Sequence, residues 1–173
     1  MLWYFAYGSN MQSATLRGRR GVEYARAVPA RLLGWRLVVD KPSLIGDGNT
    51  FANVVRDPGA AVCGVSFEIS EDDMAHIDLT EGVLLGNYER VAVTVEPLAN
   101  GHAAHPAFTL TSTKQHPETR PSQRYMRLLI EGAIEHGLPL EYIEFLRTIP
   151  TVGELEYTQE MHAMVDDFLR RRS

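Results

Sequence analysis

Apolar residues run unbroken from Leu2 to Ala6 and stop at Gly8, the pattern of a buried strand meeting a turn. Ser9 or Asn10 then stands where a cap is needed for a short helix to about Leu16. From Glu23 to Asp40 the chain reads as strand, interrupted by Pro29 and Gly34, and a turn-rich loop, KPSLIGDGN, follows over 41–49. Phe51 to Arg56 and Val62 to Ile69 read as the two strands of a hairpin, folded about a tight turn at Asp57-Pro58-Gly59. Tyr88 to Glu96 alternates, with Val91, Val93 and Val95 on one face, and a further strand is expected around Ala107 to Ser112.

Helical patterns lie between and after these strands. Ser70, followed by carboxylates at 71–73, has the form of a capping box opening a helix to about Thr80. Beyond Pro121 the period changes. Ser122 to His136 is expected to be helical with Gly137 as its C′ residue, a second helix runs from Pro139 to about Thr148, and a third follows Thr158 to near Arg171. The sum is an α+β fold: a mostly antiparallel sheet or small barrel of about six strands over residues 1–120, with helices over 121–173 packed on it as one domain.

Composition narrows the field of functions. With 173 residues the chain buries about two-thirds of its unfolded surface, enough for a core and a pocket. Apolar residues make up 45% and charged residues 23%, which argues against disorder. The net charge of -5 argues against nucleic acid or an anionic membrane as the main partner. The one cysteine, Cys63, excludes an internal disulfide and fits a reducing, cytoplasmic setting; it sits in an alternating strand as a small apolar residue. No apolar run is long enough to span a bilayer, and the N-terminus lacks the features of a signal peptide.

Three segments carry chemistry. The first, Tyr7-Gly8-Ser9-Asn10, follows a strand directly. Its small residues let successive N–H groups face one concavity that suits a carboxylate or an oxyanion, though an ordinary capped turn reads the same way. In the second, Met74, Ile77 and Glu81 fall on one helical stripe, so Glu81 continues an apolar face and Gly82 then ends the helix. A carboxyl there is partly desolvated, as a general base at neutral pH requires; the plain alternative is a helix-end glutamate in solvent. Asp78, one turn earlier, is placed either beside Glu81 or to accept N–H bonds from the glycine-rich loop. The third is Tyr125, which shares a face with Leu129: a ligand-facing hydroxyl or a core tyrosine. His102 and His105, beside a turn and Pro106, make a poor metal pair without further ligands, and no G-x-S-x-G elbow accompanies Ser9. Gly46-Asp47-Gly48-Asn49 reads as a hairpin loop, with a lid over the pocket as the alternative.

Taken in order, these segments resemble the γ-glutamylcyclotransferase family over nearly the whole chain. FAYGSNM at Phe5–Met11 is similar to that family's N-terminal strand and signature loop. Ile77-Asp78-Leu79-Thr80-Glu81-Gly82, followed by Tyr88, resembles its second signature, in which the glutamate before glycine is catalytic. Pro121 through Tyr125 to Gly137-Leu138-Pro139-Leu140-Glu141-Tyr142 resembles the C-terminal region of the branch acting on γ-glutamyl amino acids, and the Tyr-Gly-Thr-Leu loop of the γ-glutamylamine branch is not found.

The resemblance implies a small mixed β-barrel with flanking helices and a pocket at one end. It also implies a reaction: the α-amine of a γ-glutamyl group attacks its own γ-carbonyl, giving 5-oxoproline and a free amino acid or amine. Glu81 is then the acid/base; Tyr7, Gly8, Ser9, Asn10, Tyr88 and Tyr125 bind the substrate; and neither cofactor nor metal is needed. The expected partner is a small γ-glutamyl compound, and the protein is a monomer or a homodimer. Two alternatives share the barrel: an enzyme removing a γ-glutamyl group from a biosynthetic intermediate such as an antibiotic precursor, and a binding module without turnover.

Overall fold

A computed structural model describes residues 1–46, 48–99 and 103–152. The helix expected beyond Thr158, like Asp47 and His102, lies outside them. Five strands close into a barrel: β1 (Leu2–Ala6), β2 (Arg26–Pro42), β3 (Thr50–Ile69), β4 (Glu89–Pro97) and β5 (His105–Thr111), in the order β1-β3-β2-β4-β5. Neighbours are antiparallel except where β5 closes onto β1 in parallel, with Tyr4 opposite Phe108. Helix α1 (Glu71–Thr80) joins β3 to the β4 side, and α2 (Gln123–Glu135) and α3 (Leu140–Thr148) follow the barrel. The sheet is thus mixed, as the family resemblance implies.

The count of five rather than six strands has a specific cause. The hairpin expected about Asp57-Pro58-Gly59 does not form, because both of its halves pair with β2 instead of with each other: Val62 lies opposite Leu32, and Arg56 opposite Trp35. Between Leu33 and Trp35 the register shifts, so that two steps along β2 face five along β3, from Ala61 to Arg56. The surplus residues swell into a bulge. Asp57 still accepts the Gly59 N–H at 3.2 Å, so the local turn chemistry survives in a different setting. The same pairing extends β2 through Pro42, with Lys41 opposite Phe51, and shortens the expected 41–49 loop to residues 43–49.

After β1 the chain forms a 3-10 turn, Ser9–Met11, and a π-helical stretch, Ala14–Arg19, instead of one capped helix. Neither has a side-chain cap: the first N-cap is Gly8, which has no side chain, and the second is Ser13, whose hydroxyl pairs with Tyr24 at 2.9 Å. The two later caps form as the sequence leads one to expect. Ser70 accepts the Asp73 N–H at 3.0 Å, and Ser122 accepts the Tyr125 N–H at 3.1 Å.

Phe5 on one face of the sheet and Val65 and Phe67 on the other are each fully buried, and Met74 and Ile77 of α1 belong to the same core. Each such side chain contributes roughly 1.5–3 kcal/mol through burial. Helix α2 lays Met126, Leu129 and Ala133 over the core. At its closest approach stands Gly132, where a Cβ would come within 2.6 Å of the Gln12 nitrogen and 2.8 Å of Met11. No side chain fits there, so α2 rests directly on the backbone that follows Tyr7–Asn10.

Candidate active site

The C-terminal end of β1, the β2–β3 hairpin, the end of α1 and the start of α2 surround a cavity of about 670 Å³. Tyr7, Gly8, Ser9, Asn10, Glu81, Tyr88 and Tyr125, which are distant in sequence, all line it. Each gets there for a local reason. Glu81 is the C-cap of α1, carried round by the buried stripe of Met74 and Ile77, and its carboxylate side chain is 15% exposed. Gly82 then turns the chain away with φ +71°, a conformation that side chains resist, and Asn87 crosses over it to donate to the Glu81 carbonyl at 2.9 Å.

Two groups grip the Glu81 carboxylate, both at Oε1. Asn10 Nδ2 donates to it at 3.1 Å, and the Arg20 guanidinium stands 2.7 Å away. Asn10 also donates to the Tyr4 hydroxyl at 3.1 Å and accepts from Arg20 Nε at 3.4 Å. The side chain of Asn10 therefore ties the strand-end loop to the acid. Arg20 is a wall residue that no local pattern of the sequence singles out. Asp78 joins neither Glu81 nor the glycine-rich loop. It pairs with Arg90 at 2.9 Å and does not line the cavity.

The tyrosines are fixed by backbone. Tyr7 donates to the Leu110 carbonyl at 2.6 Å and Tyr88 to the Ala52 carbonyl at 2.8 Å, while the Tyr125 oxygen accepts the Ala52 N–H at 2.9 Å. Burial pushes all three hydroxyls well above the ordinary phenol range, with the Glu81 charge adding to it; for Tyr125 the Ala52 and Ser9 amides pull the other way. They are neutral hydroxyls at physiological pH, suited to orienting a ligand and unsuited to acting as bases.

Lys41 is a further wall residue that the sequence analysis does not single out, although lysine occurs only twice in the chain. It is 1% exposed, donates to the Pro42 carbonyl at 2.8 Å and to Asn87 Oδ1, and sits 4.6 Å from the centre of the Tyr88 ring. Burial, with the charge of Lys114 adding to it and that of Glu81 opposing, brings its pKa down to about 8. Asn87 is itself held by Ser112, which donates to its carbonyl at 2.8 Å, and Ser112 by Asn53 of β3. Cys63 and His105 lie away from the cavity: the thiol is half-buried, and the imidazole pairs with Ser66 at 2.9 Å. Among the described residues no group of three His, Cys, Asp or Glu is placed to hold a metal, and no helix is long and apolar enough to cross a membrane.

Comparison with known proteins agrees with this architecture. The AIG2-like family model matches residues 61–146. The chain is 29% identical to the gamma-glutamylcyclotransferases of Bos taurus and of Homo sapiens, in each case over 97% of this chain and 87% of the relative. A solved structure of a gamma-glutamyl cyclotransferase, 27% identical, superposes with a TM-score of 0.76 over 87% of this chain and 89% of its own. Signature segments, barrel and relatives lead to one assignment: the chain belongs to the γ-glutamylcyclotransferase-like family of enzymes.

Proposed function

We propose that the protein converts a γ-glutamyl amino acid or amine into 5-oxoproline and the free amino acid or amine, with Glu81 moving the protons. The observation that carries this reading is the Glu81 carboxylate on the cavity wall, held at Oε1 by Asn10 and Arg20. The other oxygen, Oε2, is left for proton transfer.

The reaction is intramolecular, so proximity comes with the substrate once its glutamyl chain is folded back; effective molarities for such closures reach about 10⁵ M or more. What the protein must add is proton traffic and charge. Glu81 takes a proton from the α-ammonium group, which frees the amine to attack the γ-carbonyl carbon. The C–N bond to the leaving group breaks as the tetrahedral intermediate collapses, and the protonated Glu81 returns its proton to the departing nitrogen. The second proton still on the attacking nitrogen passes through the same carboxylate to the freed amine, leaving a neutral lactam and an ammonium. Such acid/base work contributes typically 10²–10⁴ in rate.

The turn at Gly8-Ser9-Asn10 is suited to meet the glutamyl α-carboxylate or the oxyanion, since the first N–H groups of a helical turn have no partner within the turn. Tyr7, Tyr88 and Tyr125 shape the wall around the glutamyl chain. A cavity of about 670 Å³ is of the size that takes a dipeptide-like compound.

The test is direct. The purified protein is incubated with γ-glutamyl-alanine, γ-glutamyl-ε-lysine and glutathione, and 5-oxoproline is followed by mass spectrometry beside Glu81→Gln. The expected result is oxoproline from at least one substrate, reduced at least about 10²-fold in the variant. An absence of oxoproline from all three, with no rise in melting temperature on adding any of them, would overturn the reading.

A further inference from the structure

A buried charge is stable only when it is paired or well bonded. Arg20, in the cavity wall, meets that condition through Glu81 at 2.7 Å. Lys41, in the same wall, does not. Its two hydrogen bonds go to neutral acceptors, the Pro42 carbonyl and Asn87 Oδ1, and an ammonium has three donors. Among the described residues no carboxylate pairs with it. The cavity therefore holds a buried cation without a counter-ion, at 1% exposure and with Tyr88 against it.

We infer that Lys41 is the receptor for a carboxylate on the leaving group, so that the site selects γ-glutamyl amino acids over γ-glutamyl amines lacking that carboxylate. This inference rests on the reaction proposed above. Asn87 fixes where the receptor sits relative to the chemistry, because one side chain accepts from Lys41 Nζ and donates to the Glu81 carbonyl. A substrate reacting at Glu81 has two ends. The glutamyl end is the one proposed to meet the Gly8-Ser9-Asn10 turn beside Asn10. The leaving group is then directed across Glu81 toward Lys41. A carboxylate there takes up the third N–H donor and supplies the missing negative charge, and hydrogen bonds between ionised groups are the strong ones.

Two substrates that differ only by this carboxylate, γ-glutamyl-alanine and γ-glutamyl-ethylamine, isolate the interaction. For the wild-type protein the ratio of their kcat/KM values is expected to favour the alanine compound by about 10–100-fold, the range for one hydrogen bond to a charged group. In Lys41→Met the ratio is expected to fall to within about threefold of unity, and Lys41→Gln repeats the test should the methionine variant fail to fold.

The wild type alone gives a second measurement. The ratio is expected to decline as pH rises through about 8, where Lys41 loses its proton. The α-amine is common to both substrates and cancels in the ratio. The charges that bear on Lys41 are those of Lys114 and Glu81, the latter paired with Arg20.

A wild-type ratio near one overturns the assignment, as does a Lys41 variant that loses both substrates equally; the latter places the glutamyl carboxylate, common to both, at Lys41. Oxoproline from the ethylamine compound in either case leaves the proposed reaction standing. Oxoproline from neither substrate in the wild type removes both readings together.

Discussion

Helix α1 ends with two acidic side chains three residues apart, each against an arginine, and only one faces the cavity. Asp78 pairs with Arg90 at 2.9 Å, with the arginine side chain 39% exposed, and its Oδ1 is buried without a partner. Glu81 pairs with Arg20 at 2.7 Å and has Asn10 as a second, neutral partner on the same oxygen. Residue type and arginine pairing are therefore shared. What differs is the direction of the side chain and the presence of a rigid second hand: Asn10 is anchored to Tyr4 and to the loop that α2 presses on through Gly132. Pairing with arginine therefore does not distinguish the two acids. What sets Glu81 apart, and supports it as the proposed acid, is a carboxylate held at one oxygen by groups that belong to the walls of the pocket.

Neutralising each acid in turn sharpens this contrast most. Glu81→Gln is expected to reduce kcat/KM for oxoproline formation by about 10²–10⁴ while the protein still melts cooperatively, as checked by oxoproline assay and calorimetry. The next effect comes from the wall. Gly132→Ala puts a methyl group where the Gln12 nitrogen and Met11 already stand, so α2 or the Asn10 loop must shift. A loss of about 1–3 kcal/mol in denaturant unfolding is expected, with a fall in activity, although Gly132 touches no substrate.

Arg20 gives a smaller change. Arg20→Gln removes the charge that holds Glu81 Oε1 and leaves Asn10 alone to position it, for an expected loss of about tenfold in kcat, or about 1.4 kcal/mol. Arg20→Lys keeps the charge and should recover part of the loss, which a purely structural role for Arg20 would not predict. The matching change at the other acid, Arg90→Gln, should leave kcat within about twofold of wild type.

The sequence reveals one side of the cavity better than the other. The Tyr7–Asn10 loop, Glu81 and Tyr125 stand out because each follows a short-range pattern that still leaves a plain structural reading open: a strand that stops at glycine, an apolar stripe that runs into an acid, a cap followed by a helix. The family resemblance supplies their expected roles and adds Tyr88, and all of them line the cavity. Lys41 and Arg20 carry no such pattern. Lys41 reaches the wall only because β2 continues through Pro42, which depends on its pairing with Thr50–Phe51 rather than on its own turn-rich composition. Arg20 is set by a π-helical stretch that no periodicity announces. The missed strand junction at Asp57-Pro58-Gly59 has the same origin. Its residues favour a turn locally, but the partner strand β2 is long enough to pair with both halves, and non-local pairing decides.

Asp78 provides the mildest test and the one most able to break the comparison. Burial raises its pKa above the ordinary carboxylate range, and Arg90 offsets this only in part. A carboxyl whose pKa is higher in the folded than in the unfolded state favours folding while it is protonated. That stability is present below the unfolded value and declines as pH rises toward the folded one. At neutral pH ionised Asp78 therefore carries a net cost, and Asp78→Asn removes it. That net cost already counts the pairing with the partly exposed Arg90, so Asp78→Asn is expected to be as stable as wild type or slightly more stable at pH 7 and to keep its activity. Denaturant unfolding from pH 7 down to pH 4 should show the wild type gaining on the variant as the carboxyl is protonated. A large loss of oxoproline formation in Asp78→Asn, with stability intact, would mean that both acids of α1 serve the reaction and that the orientation of Glu81 is not what distinguishes it.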